Sequence, residues 1–316
     1  MQLSIVIPLL NEAESLIELH EWIVSVMVKE KLTYEILFID DGSKDESWKI
    51  IEKLKSNDTN IRAFKFRKNY GKSQALHLGF SKAKGDVVIT MDADLQDSPE
   101  EIPELYDMII NQKYDMISGW KKKRYDNALS KNIPSKLFNW AARKASGLKL
   151  NDFNCGLKAF KLEVVKSIQV TGEMHRYIPV LVVNEGFEKI GEKIVKHKKR
   201  KYGETKFGMN RFTNGFLDLI TIWFQSKFGR RPMHLFGTVG SVVFFIGFLA
   251  AVYIGSLKLY KLYNDLPYEL VTNSPYFYIA LTCMIIGTQL FMAGFLGELV
   301  LKNRPQQGYK IVKSIE

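Results

Sequence analysis

The sequence predicts an α/β fold, in which a mostly parallel sheet is followed by an interfacial amphipathic helix and two transmembrane helices. Two observations support this fold class. From residue 3 to residue 119, short apolar runs alternate with amphipathic stretches, as in a parallel sheet covered by helices on both faces. Towards the C-terminus, residues 235–257 and 276–297 carry no charge, and each stretch would span about 30 Å as a helix, which matches the hydrocarbon core of a bilayer.

The alternation predicts strands and helices in a regular order. The strands cover residues 3–7, 35–39, 63–66, 87–91 and 116–118, one helix covers residues 73–84, and the other helices follow Asn11, Ser43 and Ser98. For the helix after the fourth strand, Ser98, Pro99 and Glu101 have the pattern of an N-cap, a first-turn proline and a reciprocal capping glutamate.

Acidic residues follow three of the predicted strands. Glu12 comes after the first strand, Asp40 and Asp41 end the second, and Asp92 and Asp94 follow the fourth. Because parallel α/β sheets bind ligands at the carboxyl ends of their strands, we expect these acids to share one crevice. Carboxylates suit a hard divalent cation, which often completes its coordination with substrate phosphates. The acids therefore predict a site for a metal-bound diphosphate.

Structural interpretations compete with this one. An Asp-x-Asp pair such as Asp92 and Asp94 can be a solvated turn that caps the next helix. Ser98 already provides that cap, so the acids Asp92, Asp94 and Asp97 are left without an evident structural role. Glu12 can be a residue of the first helical turn instead of a ligand.

Other nucleotide-binding signatures do not fit the sequence. Gly71-Lys72 resembles the end of a phosphate loop, but Phe66 stands where that motif needs glycine. The first strand is not followed by a Gly-x-Gly-x-x-Gly motif. A nucleotide held through acids and a metal is the remaining interpretation.

The distribution of charge predicts how the chain meets the membrane. Basic residues precede the first apolar stretch and follow the second, which by the positive-inside rule places both chain ends in the cytoplasm. We expect no signal peptide before the first strand. The net charge of +11 then indicates contact with anionic lipid headgroups and not with nucleic acid.

These features divide the chain into four predicted segments. Residues 1–206 form a cytosolic domain, 207–233 an amphipathic helix in the membrane interface, 234–301 a two-helix transmembrane domain and 302–316 a cytoplasmic tail. Glycines in both spans allow close helix approach, either within the chain or between copies in a homo-oligomer. The predicted location is a multi-pass position in the cell inner membrane.

Five motifs occur in order along the chain. They are Val6-Ile7-Pro8-Leu9-Leu10-Asn11-Glu12, Ile39-Asp40-Asp41-Gly42-Ser43, Asn69-Tyr70-Gly71-Lys72, Asp92-Ala93-Asp94-Leu95-Gln96-Asp97 and Arg200-Lys201-Tyr202-Gly203-Glu204-Thr205-Lys206. With the two C-terminal spans, this order resembles the membrane-bound polyprenyl-phosphate glycosyltransferases of family 2, such as dolichyl-phosphate mannose synthases and bactoprenol glucosyltransferases. The resemblance covers almost the whole chain and implies the GT-A fold.

The resemblance implies roles for individual residues. The nucleotide-sugar donor would be bound by Pro8, Glu12, Asp40, Asp41, Lys72 and Asp92. Mg²⁺ or Mn²⁺ would be held by Asp92, Asp94 and Gln96. The candidate catalytic acids are Asp94, Asp97 and Asp152, the last of which can also be a loop N-cap. The acceptor phosphate would be bound by Arg124, Ser135, Arg200 and Lys206. Many members have Phe-Arg-Leu where this chain has Gly156-Leu157-Lys158, so the arginine of that sequence is not expected here.

The sequence thus predicts a metal-dependent, inverting enzyme that moves one sugar from a UDP- or GDP-linked donor to a polyprenyl phosphate at the cytoplasmic membrane face. Such an acceptor is already mostly ionised near neutral pH, so it needs positioning more than a strong general base. Two alternatives stay open. One is a glycosyltransferase that extends a glycan on a hydroxyl acceptor, and the other is a catalytically silent membrane scaffold.

Overall fold

A computed structural model describes residues 1–122, 143, 147–170, 172, 174–198, 201–202 and 232–302 of the chain. The chain divides into two compact units, Met1–Ile222 and Trp223–Glu316. The predicted interfacial helix of residues 207–233 lies almost entirely outside the described residues. The predicted tail lies outside them from residue 303 onwards.

The first unit consists of strands and helices that alternate along most of its length. The strands are β1 (Leu3–Leu9), β2 (Tyr34–Asp40), β3 (Ile61–Lys65), β4 (Val87–Thr90), β5 (Met116–Trp120), β6 (Lys158–Lys161) and β7 (Ile190–Ile194). The helices are α1 (Ala13–Lys29), α2 (Ser47–Asn57), α3 (Lys72–Lys82), α4 (Ile102–Ile110), α5 (Leu162–Ser167) and α6 (Ile178–Asn184). The five strands expected from the sequence are β1 to β5, and their bounds agree to within a few residues.

The strands form one sheet in the order β3-β2-β1-β4-β6-β5-β7. The pairs β1 with β2, β1 with β4, β2 with β3 and β5 with β7 are parallel, as the alternation predicted. Strand β6 is antiparallel to both of its neighbours, β4 and β5. The sheet is therefore mostly parallel, with one antiparallel strand between β4 and β5.

The sheet is buried on both faces because helices cover each side. Ile5 and Ile7 of β1 lie in the hydrophobic cluster that contains residues of α1, α2 and α4. Val6 points the other way, into the cluster with α3, α5 and α6. The period of two along a strand distributes neighbouring side chains between these clusters. Phe38 of β2 is fully buried, and its replacement by alanine would cost about 3–5 kcal/mol of stability.

The start of the helix after β4 differs in detail from the expectation. Ser98 does act as an N-cap, since its Oγ accepts from the Glu100 N–H at 3.4 Å, but the turn that it caps is a 3₁₀ turn, Pro99–Glu101, which leads into α4. The Glu101 carboxylate makes an ion pair with Lys193 and accepts from the Lys196 N–H at 3.2 Å. The predicted reciprocal capping bond of Glu101 is therefore wrong, because a lysine of β7 competes for its carboxylate.

The second unit contains two long helices, α7 (Pro232–Tyr263) and α8 (Pro275–Lys302). Both are long and apolar enough to cross a membrane, which makes them candidate spans. Glycines of α7 lie where the two helices meet. A Cβ added to Gly240 would lie 2.6 Å from the carbonyl oxygen of Gly287, and a Cβ added to Gly247 would lie 2.5 Å from the carbonyl oxygen of Ala280. The close helix approach predicted from the glycines is thus present within the chain.

Candidate active site

The loops that follow β1 and β2 are joined by side-chain hydrogen bonds. The Asn11 N–H donates to Ser43 Oγ at 2.8 Å, and Asn11 Oδ1 accepts from the Lys44 N–H at 2.8 Å. The Glu12 N–H donates to Ser47 Oγ at 3.0 Å. Asn11 has a positive φ of 51°, which asparagine tolerates better than most residues. These bonds place Glu12 beside the start of α2 and next to the loop that follows β2.

Pro8 explains why the chain opens at this edge of the sheet. The Val6 carbonyl oxygen accepts from the Met91 N–H at 3.1 Å, and Val6–Thr90 is the last pair of the β1–β4 ladder. Pro8 presents its backbone to the same side as Val6 but has no N–H with which to continue the ladder. The two strands therefore separate after Met91, and Asp92 lies where they part.

The second strand ends in two buried carboxylates. Asp41 is 5% exposed and accepts from the backbone N–H groups of Tyr70 at 2.7 Å and Gly71 at 2.9 Å. Burial raises the pKa of Asp41, and these two hydrogen bonds oppose the rise. Asp40 accepts from the Ser43 N–H at 2.7 Å and lies 3.4 Å from Lys65 Nζ. Asp41 thus fixes Tyr70 and Gly71 against the end of β2.

Asp92 forms an ion pair with Lys72, the first residue of α3, at 2.5 Å between Nζ and Oδ1. Both side chains are about one third exposed, so the pair borders on solvent. Burial acts to raise the pKa of Asp92, but the Lys72 ammonium, with Lys121 and Lys158 behind it, holds that pKa well below its ordinary value. Gly156 lies directly against this carboxylate, since an added Cβ would be 2.5 Å from Asp92 Oδ2.

The remaining metal candidates lie in the loop after Asp92. Asp94 accepts from the Gln96 N–H at 3.2 Å through Oδ1, and both side chains are partly exposed. Leu95, between them, has a φ of 59°, a strained value for leucine that bends the loop sharply. The Gln96 carbonyl oxygen accepts from the Lys198 N–H at 2.9 Å, which ties the loop to the segment after β7.

Asp97 has a structural partner. Its side chain is completely buried, and Oδ1 lies 2.7 Å from Lys121 Nζ. Burial acts to lower the pKa of Lys121, but the Asp97 carboxylate outweighs it and raises the pKa. The expectation that Asp97 has no structural role is therefore wrong, because a buried charge needs an opposite charge nearby.

Asp152 is also buried, at 1% exposure, and accepts from the Asn154 N–H at 3.0 Å, as a loop cap does. Next to it, Lys158 donates to the Cys155 carbonyl oxygen. Burial lowers the pKa of Lys158, and the Lys72 ammonium adds to this effect. Burial also raises the pKa of the Cys155 thiol to about 12. The Cys155 thiol thus lies near the charges of Lys121, Asp97, Asp152 and Lys158.

The sequence did not assign Lys158 and His175 to the site. Both lie near enough to Lys72 and Asp92 for these charges to affect their pKa values. The pKa of His175 is well below its usual value, first because of burial and then because of the nearby Lys72. Lys158 is a strand residue in a basic sequence, and His175 is a lone histidine. Neither has a local signal that distinguishes it from a surface residue.

The predicted acceptor ligands Arg124, Ser135, Arg200 and Lys206 lie outside the described residues. Of the other predicted residues, the structure brings Lys72 to Asp92 and places Asp94 and Gln96 in the same loop. Asp40 and Asp41 lie at the end of a strand two positions away in the sheet.

The donor set fits a hard divalent cation that shares its coordination with a substrate. In the described part of the chain, no group of three or more His, Cys, Asp or Glu side chains is close enough to hold a metal alone. Mg²⁺ commonly takes one or two carboxylates and completes its shell with water and substrate phosphates. Asp92, Asp94 and the Gln96 amide oxygen offer this kind of partial set.

Comparisons with known proteins agree with this geometry. Residues 4–168 match the sequence family described as glycosyl transferase family 2. The dodecaprenyl-phosphate galacturonate synthase of Rhizobium johnstonii is 30% identical over 305 residues, which are 96% of this chain and 88% of the relative. The undecaprenyl-phosphate 4-deoxy-4-formamido-L-arabinose transferase of Proteus mirabilis is 33% identical over 300 residues, or 95% and 88% of the two chains.

A solved structure shows the same fold. Glucosyl-3-phosphoglycerate synthase from Mycobacterium tuberculosis, in complex with Mn²⁺, uridine-diphosphate-glucose and phosphoglyceric acid, superposes with a TM-score of 0.51 at 16% identity. The match covers 71% of this chain and 79% of that one, and it confirms the predicted GT-A fold. With the family match over residues 4–168, these findings show that the chain belongs to glycosyl transferase family 2.

Proposed function

We propose that this protein transfers a single sugar from a nucleotide-sugar to a polyprenyl phosphate at the cytoplasmic face of a membrane. The observation that carries the proposal is one chain with both acidic strand ends and two candidate membrane spans. Its similarity to relatives named as dodecaprenyl- and undecaprenyl-phosphate sugar transferases supports the acceptor class.

The donor would lie across the carboxyl ends of β1, β2 and β4. Asp40, Asp41, Pro8 and Glu12 would line the pocket for the base and ribose, which can belong to UDP or GDP. Lys72 would move from Asp92 to a phosphate oxygen, since an ammonium binds either anion as a point charge. The donor is thus held by residues of the strand ends and of α3.

Asp92, Asp94 and Gln96 would hold Mg²⁺ or Mn²⁺ on the diphosphate. A cation bound there neutralises the negative charge that develops on the leaving nucleoside diphosphate. The chain's own contribution is the fixed direction of these oxygens, set by the end of β4 and by the bend at Leu95.

An acceptor phosphate would reach the sugar from the side opposite the leaving group, so that the sugar is transferred with inversion. A phosphate monoester is mostly ionised near pH 7, with a second pKa of about 6, and can attack without a strong base. Arg124, Ser135, Arg200 and Lys206 remain the proposed acceptor ligands. Asp97 and Asp152, the other acids proposed from the sequence as catalytic, are both buried, and Asp97 is paired with Lys121; they would act as positioning residues that orient this region.

The proposed location is a multi-pass position in the inner membrane. The exposed apolar side chains of α7 and α8 support it. A homo-oligomer is also proposed. Gln289 lies near the middle of α8 with its amide exposed, and amides within membrane spans promote helix association. Crosslinking of the wild type and of Gln289→Leu tests this assembly, which a crosslink yield unchanged by the substitution would argue against.

The transfer itself is tested with membranes that contain the protein, polyprenyl phosphate, Mg²⁺ or Mn²⁺ and a panel of labelled nucleotide-sugars. Label should enter the organic phase for at least one donor. Asp94→Asn should abolish this transfer while membrane insertion is unchanged. Asp107→Asn is the matched control, because the Asp107 carboxylate bonds only the local amides of Asn111 and Gln112 among the described residues.

The outcomes separate the proposed function from its alternatives. If none of the donors leads to label in the organic phase, the proposal of a lipid-phosphate acceptor is wrong. Label on a water-soluble or hydroxyl acceptor instead would favour a glycan-extending enzyme. If Asp94→Asn transfers sugar at the wild-type rate, Asp94 does not hold the metal.

A further inference from the structure

Ser73 and His175 are joined by two hydrogen bonds, although they are far apart in the sequence. The His175 backbone N–H donates to Ser73 Oγ at 3.0 Å, and Ser73 Oγ lies 3.1 Å from His175 Nδ1. Ser73 is completely buried in the first turn of α3, and His175 lies in the 3₁₀ turn Met174–Arg176. The pair therefore attaches the beginning of α3 to a distant segment.

The Ser73 hydroxyl can make both bonds at once. Its oxygen accepts from the His175 backbone N–H, and its proton can be donated to Nδ1 when that nitrogen is unprotonated. Burial and the neighbouring cations Lys72, Arg176 and Lys158 lower the pKa of His175, which agrees with a neutral ring that can accept this bond.

Among the described residues, the beginning of α3 is held by Asp41, which accepts from the Tyr70 and Gly71 N–H groups, and by the Ser73–His175 pair. Its N-cap residue, Gly71, has a φ of 95° and contributes no side-chain cap bond. The Gln74 N–H donates to the Gly71 carbonyl oxygen at 3.1 Å, and Lys72, between them, reaches Asp92 at 2.5 Å. The direction of Lys72 thus depends on how this turn is held.

We infer that Ser73 and His175 are positioning residues that hold the first turn of α3 so that Lys72 lies over Asp92 and can meet the donor diphosphate. This inference rests on the proposed function, since it assigns the diphosphate as the ligand that Lys72 receives. Neither residue touches the reacting atoms; both act through Lys72.

The attachment is tested by hydrogen exchange on the full-length chain in detergent. Ser73→Ala and His175→Leu should speed exchange of the Gln74 and Ala75 amides about three- to tenfold, the usual effect of one lost hydrogen bond. His175→Asn should exchange like the wild type, because its carbonyl oxygen can take the place of Nδ1. Ser81→Ala, at the other end of α3, is the matched control, since the Ser81 hydroxyl donates only to the Leu78 carbonyl oxygen among the described residues. Unchanged exchange in Ser73→Ala would overturn the inference.

The action through Lys72 is tested by binding of UDP or GDP with Mn²⁺, measured by calorimetry. Ser73→Ala should weaken binding about three- to tenfold when Lys72 is present. In a Lys72→Met background it should have almost no further effect, because residues that act through one another are not additive. An equal loss of affinity in both backgrounds would overturn this inference but would leave the donor assignment unaffected. A wild-type chain that binds neither nucleotide would overturn the donor assignment and the inference together.

Discussion

Replacing Gly156 with alanine should disable the site while the protein stays folded. The new Cβ would lie 2.5 Å from Asp92 Oδ2 and 2.7 Å from its Cγ, whereas ordinary contact begins near 3.4 Å. The carboxylate must therefore move by about 1 Å, and a displacement of this size can cost about 100-fold in rate. Asp92 is a short side chain already held by Lys72, so it has few other rotamers that keep the ion pair.

The assay is sugar transfer to polyprenyl phosphate, with thermal unfolding of the same preparation. We expect kcat/KM to fall about 100-fold, while the free energy of unfolding changes by only about 0.5–1.5 kcal/mol, the cost of an off-rotamer side chain. Gly255→Ala is the matched control, because nothing lies within 4 Å of a Cβ added there. If Gly156→Ala keeps wild-type kcat/KM, the position of the Asp92 carboxylate is not important for the reaction.

Three further predictions concern buried groups. Lys121→Met should destabilise the protein by about 3–5 kcal/mol in denaturant titrations, because it leaves Asp97 charged and buried. Adding Asp97→Asn should recover much of this loss of stability. A double variant that is no more stable than Lys121→Met would contradict the reasoning. Cys155, with a pKa of about 12, should resist iodoacetamide at pH 8 in the native chain and react after denaturation, as peptide mass spectrometry would show; rapid native labelling would mean that the thiol is accessible. Gly247→Val should lower the thermal stability of the α7–α8 pair, whereas Gly255→Val should not, and equal effects at both positions would argue against the close approach at Gly247.

The sequence predicted five of the seven described strands, those that alternate with helices along the first part of the chain. Strands β1 to β5 are apolar runs between helices, and the acids at their ends could be counted before the structure was known. Parallel pairing of β1 with β2 and β4 follows from the right-handed crossovers that such alternation requires. The candidate spans were equally readable, since length and absence of charge define them.

The antiparallel strand β6 could not be predicted in the same way. It has four residues and begins and ends with lysine, so its pattern is not that of a buried strand. Its partners β4 and β5 precede it by tens of residues, and no local turn signal connects them. The pairing is decided by long-range packing.

The same limit applies to the site. Asp97 is one acid among several in a polar loop, and only the fold shows that Lys121 neutralises it. His175 acquires its importance from Ser73, about a hundred residues earlier, and from the cations around it. Residue types and spacing predicted that acids follow these strands, but they could not predict the side chains with which the acids pair.

The place of β6 has a consequence for how the chain matures. During synthesis, β4 emerges long before β6, so one edge of the growing sheet stays unpaired until residues 158–161 leave the ribosome. An unpaired edge invites pairing with other chains. A chain that ends after β5 should therefore aggregate, and one extended past Ile194, where β7 has paired with the outer edge of β5, should gain solubility. Gly156, which lies against the Asp92 carboxylate, is made just before β6, so a nascent chain covers the edge of β4 and completes the surroundings of Asp92 together.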